Sequence, residues 1–131
     1  MYSKLCLSTE EVQAIVAACK AKAASLGEAA TIAVVDEGGQ LLYLERPDSQ
    51  GPSSVEMATG KARTAAVRER PTAALEDRVK DRPGFLTYPN AIAVRGGVPV
   101  FFEGKCVGGV GVSGIGNNDE VVAQAGADAV G

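Results

Sequence analysis

The run Val107-Gly108-Gly109-Val110-Gly111-Val112-Ser113-Gly114 restricts the fold of this chain more than any other stretch. Valine favours extended backbone, and the interspersed glycines strip side chains from the strand surface. Another backbone or a flat ligand can then lie directly against it. Gly96-Gly97-Val98-Pro99-Val100-Phe101-Phe102 is a second apolar strand, and Glu103-Gly104 supplies the reversal between the two. Ala91-Ile92-Ala93-Val94-Arg95 reads as a third strand ahead of them, which makes a three-strand meander. The glycines match neither the dinucleotide fingerprint nor a phosphate loop, because the spacing differs and no Gly-Lys-Ser/Thr ending follows. The strand is therefore a wall, for packing or for a planar ligand, and Gly109 and Ser113 are its candidate ligand contacts.

Upstream, Ser8 and Glu11 stand at capping-box spacing and predict a helix whose inner stripe is Val12, Ile15, Val16, Cys19, Ala23 and Leu26, stopped by Gly27. Residues 31–36 and 40–45 flank Glu37-Gly38-Gly39 as a hairpin. Both strands are nearly all apolar, which predicts cover on both faces. Ser53 and Glu56 form a second capping-box spacing, opening a helix to about Val67 with Gly60 inside it. Pro71-Thr72 starts a short helix through Leu75 and Val79, residues 85–90 read as an ordered loop, and Asn117 or Asn118 caps a last helix. The order predicts one domain over residues 1–131. It is an α/β sandwich with an antiparallel sheet of about five strands and flanking helices.

Composition narrows the partners. The 131 residues carry a formal charge of −3, no histidine and three cysteines, so nucleic acid, zinc and a disulfide framework are not expected. No signal-like apolar core or membrane-length run occurs, which points to a cytoplasmic protein without a membrane partner.

The capped first helix, Val34-Val35-Asp36-Glu37-Gly38-Gly39, Gly60-Lys61-Ala62-Arg63-Thr64-Ala65, Arg70-Pro71-Thr72, Gly96-Gly97-Val98-Pro99-Val100 and the glycine strand occur in order. Together they resemble the GlcG/HbpS family, which includes the C-terminal domain of PduO-type proteins, over nearly the whole chain. The resemblance implies a profilin-like sandwich that assembles into homo-oligomers, from dimers to octamers. It also implies a small-molecule ligand, with haem or a related tetrapyrrole as the cofactor. Two departures stand out. The histidine axial ligand of PduO-type haem binding has no counterpart, so either a non-histidine ligand such as a hydroxyl, thiolate or carboxylate is required or binding is through propionates and stacking alone. Ile115-Gly116-Asn117 and Asn118-Asp119 replace the family's Gly-Gly-Thr and Gln-Asp.

Two functions follow. The first is a haem- or tetrapyrrole-binding accessory protein. The second is a small cofactor-independent catabolic enzyme of isomerase, hydratase or deaminase type, with Lys61 as acid/base on an acidic or aromatic-derived metabolite. Lys61 lies among small residues, where burial can tune an amine for proton transfer. Asp36 is either a second acid/base group or the organiser of its turn, and Glu56 either a catalytic carboxylate or a helix cap. Arg63, Arg82 and Arg95 are candidate carboxylate holders, and Phe85 and Tyr88 candidate stacking rings. The basic residues read equally well as a solvated face. Cys106 reads as a small inert apolar residue.

Overall fold

A computed structural model describes residues 1–130. Helix α1 spans Thr9–Ser25, β1 Thr31–Asp36, β2 Leu41–Glu45, α2 Ser53–Arg68 and α3 Thr72–Asp81. A 3-10 turn over Pro83–Thr87 leads to β3 Gly97–Phe102, β4 Lys105–Ser113 and α4 Asn118–Ala127. The sheet order is β2-β1-β4-β3 and every pairing is antiparallel.

Side-chain alternation along the central strands sorts the helices into two layers. Ile32 and Val34 of β1 join Val98, Val100, Val110 and Val112 in a core covered by Val12, Ile15, Val16 and Cys19 of α1 and Val122 and Ala123 of α4. Ala33 and Val35 face the other way, toward Ala58, Ala62 and Ala66 of α2. On that face β4 presents Gly109 and Gly111, and α2 settles on them backbone to backbone. A Cβ on Gly111 would stand 2.0 Å from the Ala58 carbonyl oxygen, and one on Gly109 would stand 2.4 Å from that of Ala62. On β3, a Cβ on Gly97 would stand 2.2 Å from the Lys61 carbonyl oxygen. The glycine wall thus takes a helix, the packing outcome of the two the sequence left open.

Gly60 repeats the device on the far side of α2, where a Cβ would stand 2.5 Å from Ile92 Cγ1. A helical glycine costs about 1 kcal/mol against alanine, and this packing offsets it.

Among the described residues the sheet has four strands, not about five. The segment 91–95 is not a strand but runs outside α2: the Ile92 amide donates to Thr64 Oγ1 at 2.9 Å, and Asn90 turns the chain with a φ of 55°. Once its amide and side chain are committed to the helix, Ile92 cannot also join a ladder. Strand β2 is covered on fewer sides than its composition predicts, with Leu41 and Leu42 exposed, because it is an edge strand. Neither capping box forms. Ser8 occupies the N-cap of α1 in extended conformation without a side-chain cap bond. Ser53 lies inside α2 after Pro52, and it is the neighbouring Ser54 hydroxyl that bonds the Gly51 carbonyl and Thr31. The left-handed Gly27 after α1, with a φ of 71°, matches its predicted role as a stop.

Gly111→Ala should destabilise the protein by about 3 kcal/mol, the upper part of the ordinary overpacking range, because a helix carbonyl must move. Gly51→Ala, with open space around its Cβ position, should leave the urea midpoint unchanged. Equal midpoints for the two variants would refute the backbone contact.

Candidate functional site

Because α2 gives its small residues to the sheet, its longer ones are left for the opposite flank. There the hairpin turn and the 88–92 segment stand on either side of the helix and leave a groove. One cavity of about 470 Å³ is lined by Gly38, Gln40, Arg63, Val67, Arg68, Tyr88 and Asn90, among others. An adjoining cavity of about 530 Å³ shares Arg63, Asn90 and Ala91 and extends past Ile92, Leu41, Leu44, Val55 and Glu56.

The hairpin wall is built by Asp36. Its Oδ1 accepts the Gly38 and Gln40 amides, each at 2.9 Å, so this carboxylate organises the turn. Gly39, with a φ of 83°, brings the turn onto the stem of Arg63, since a Cβ there would lie 2.7 Å from Arg63 Cγ. Glu56 is exposed in the first turn of α2 at the far end of the groove, and it makes no cap bond. Across the groove, the Arg68 guanidinium lies 5.2 Å from the centre of the Tyr88 ring. Arg68 Nη1 is buried and has no hydrogen-bond partner among the described residues. Leaving a buried donor unsatisfied costs about 1–3 kcal/mol, more for a charged group, so the fold keeps at this cavity wall a guanidinium whose hydrogen bonding is incomplete.

The groove therefore unites Arg63, Tyr88 and Glu56 from the sequence candidates, with Asp36 behind its wall. Arg82 and Phe85 lie elsewhere, on an open hollow at the end of α3, where Arg78 and Arg82 approach the Phe85 ring at 5.0 and 5.8 Å. Arg95 is engaged with Glu76 and Asp77 of α3. Its hydrogen bond holds the Asp77 carboxyl below the usual carboxylate range, and the Arg95 guanidinium is raised in return. Ser113 is buried opposite Thr31 at the end of the β1–β4 pairing, and Gly109 lies beneath α2.

Lys61 is 2% exposed, and its ammonium donates to the Val112 carbonyl at 3.0 Å and to Asp119 Oδ2 at 3.2 Å. Asp119 Oδ1 in turn accepts the Ile115 amide at 2.9 Å. The lysine is thus a strut joining α2, β4 and the start of α4. Burial of two charges is tolerated because both are paired and bonded to backbone as well. The sequence pointed to the lysine but not to Asp119 as its partner, and it offered Arg68, with Arg63 and Arg70, as a carboxylate-binding cluster or a solvated helix face. The missed signal was that a lysine among alanines and glycines requires a buried acceptor somewhere in the chain.

Burial pushes the Cys19 thiol up to about 12 and also raises that of Cys106, whose S–H donates to the Gly108 carbonyl at 3.3 Å. Among the described residues, no group of three or more cysteines, aspartates and glutamates is arranged to hold a metal ion.

Residues 7–128 match the family model described as haem degrading protein HbpS-like. Protein GlcG of Escherichia coli K12 is 41% identical over 114 residues, 86% of this chain and 85% of that protein. The crystal structure of a double mutant of HbpS from Streptomyces reticuli superposes with a TM-score of 0.92 at 33% identity, covering 100% of this chain and 91% of that one. A PduOC–haem complex gives a TM-score of 0.84 at 26% identity, with 96% of both chains covered.

Lys61→Met leaves Asp119 buried and unpaired and should cost about 3–5 kcal/mol in urea unfolding, with Lys61→Met/Asp119→Asn recovering part of it. A loss under about 1 kcal/mol would contradict the strut. Thiol labelling of the native protein should modify exposed Cys6 first, Cys106 slowly and Cys19 only on unfolding. Native-state labelling of Cys19 at the rate of Cys6 would refute its burial.

Proposed function

This chain belongs to the HbpS-like family, and we propose that it is an accessory protein that binds haem or a related tetrapyrrole in the groove outside α2. The observation that carries this reading is the pair of guanidiniums lining one cavity, Arg63 and Arg68, the latter with a buried Nη1 that has no hydrogen-bond partner among the described residues. Two guanidiniums on a groove whose apolar lining comes from Val67, Ala91, Ile92, Leu41, Leu44 and Val55, beside the polar Gln40, Asn90 and Glu56, suit a flat ring that carries carboxylates. Arg63 and Arg68 would hold the propionates, and the aliphatic residues would cover the macrocycle. The bound group would supply a redox-active iron centre that no side chain of this protein provides.

The same reading includes a homo-oligomer. Support comes from the exposed apolar side chains at the two sheet edges, Leu41 and Leu42 on β2 and Phe101 on β3, which a second copy would cover. It also places the protein in the cytoplasm. Among the described residues no helix is long and apolar enough to cross a membrane.

The alternative, a cofactor-independent catabolic enzyme with Lys61 as acid/base, requires the Lys61–Asp119 pair to open before the amine reaches a substrate. Glu56 is the carboxylate that already lines the groove.

Haemin titration should give a saturable Soret shift, and Arg63→Ala and Arg68→Ala should each weaken binding about tenfold, the loss of one charge-assisted hydrogen bond. Absence of any shift, or binding that is indifferent to both arginines, would overturn the assignment to this groove.

A further inference from the structure

We propose that Tyr88 is the iron ligand of the bound tetrapyrrole, with Arg68 as its charge partner, an inference that rests on the binding mode proposed above. The chain has no histidine and no lysine lines either cavity of the groove, so a ligand from this chain has to be an oxygen or sulfur side chain that reaches it. Most candidates are already committed or lie elsewhere, and Glu56, the carboxylate of the groove, lines the adjoining cavity at its far end and not the one that holds Arg68. Thr64 Oγ1 donates to the Gly60 carbonyl and accepts the Ile92 amide, and Thr59 Oγ1 donates to the Val55 carbonyl. Cys19 is buried between α1 and α4, and Cys106 lies on a different cavity beside Gly104 and Lys105. Of the three tyrosines, Tyr43 donates its hydroxyl to Glu45 and Tyr2 lines that same separate cavity.

Tyr88 stands at the groove. It is 37% exposed, lines the cavity that Arg63 and Arg68 share, and sits two residues before the left-handed Asn90 that turns the segment across α2. An iron-bound phenolate is anionic, and the Arg68 guanidinium 5.2 Å from the ring centre supplies the compensating positive charge inside a partly desolvated site. Tyrosine is an established axial ligand of haem iron. Ligation occurs by loss of the phenolic proton to solvent as the oxygen–iron bond forms, with no change in the oxidation state of ferric iron. Arg68 thus has two roles on one helix turn, holding a carboxylate and balancing the ligand.

The test uses the full chain loaded with haemin, read by absorbance, electron paramagnetic resonance and resonance Raman spectroscopy. The wild type should show a high-spin ferric spectrum with phenolate vibrations enhanced under charge-transfer excitation. Tyr88→Phe should lose those vibrations, with its fold verified by circular dichroism, and Tyr88→His should convert the spectrum to that of an imidazole complex. An unchanged spectrum in Tyr88→Phe, or a thiolate spectrum abolished by Cys106→Ser, would overturn Tyr88 as ligand while leaving haem binding intact. Failure of the wild type to take up haemin would instead remove the binding proposal itself.

Discussion

The structure depends on the contact between the backbone of α2 and the glycines of β3 and β4. Gly97, Gly109 and Gly111 let three helix carbonyls sit where side chains would ordinarily stand. At that distance the helix has little freedom to slide, because each carbonyl lies over a particular glycine. Dispersion and shape, rather than bulky apolar burial, hold this layer. The opposite layer is conventional, with branched aliphatic residues of the sheet packed under α1 and α4.

Close docking of α2 has consequences on its inner face and on its outer flank. It places Lys61 within reach of the Val112 carbonyl and of Asp119 on α4, so that one ion pair ties the two helix layers together through the sheet. It also turns Arg63, Val67 and Arg68 outward, toward the hairpin turn and the Tyr88 loop. The groove is the space left when a thin helix, trimmed for the sheet on one side, is flanked by two loops on the other. Its cationic lining follows from the charged residues that α2 excludes from its inner face.

Much of the fold was legible in local sequence. Asp36 before two glycines announced the turn that it organises, Gly27 announced the end of α1, and the small residues around Gly60 announced close packing. The serine–glutamate spacings were misleading. Ser8 does sit at a helix start without forming its bond, while Pro52 moves the start of α2 so that Ser53 falls inside the helix. Residues 91–95 have strand composition, but Thr64 and Gly60 of α2 claim Ile92 first. Within the candidate site, Arg63, Tyr88 and Glu56 were named from residue chemistry, whereas Arg82 and Arg95 proved to lie with α3 and its neighbours.

The sequence by itself determined the family, the small-residue faces that must meet, and the lack of histidine that removes imidazole as an iron ligand. These are properties of composition and short-range spacing, and they survive whatever the distant parts of the chain do. Only the tertiary structure decided that Lys61 finds Asp119, 58 residues away, and that Arg68 is left with a buried nitrogen unpaired beside Tyr88. Pairing and burial of a charge depend on which groups the folded chain brings within a few ångströms. That proximity is a property of the packed layers and not of any single segment.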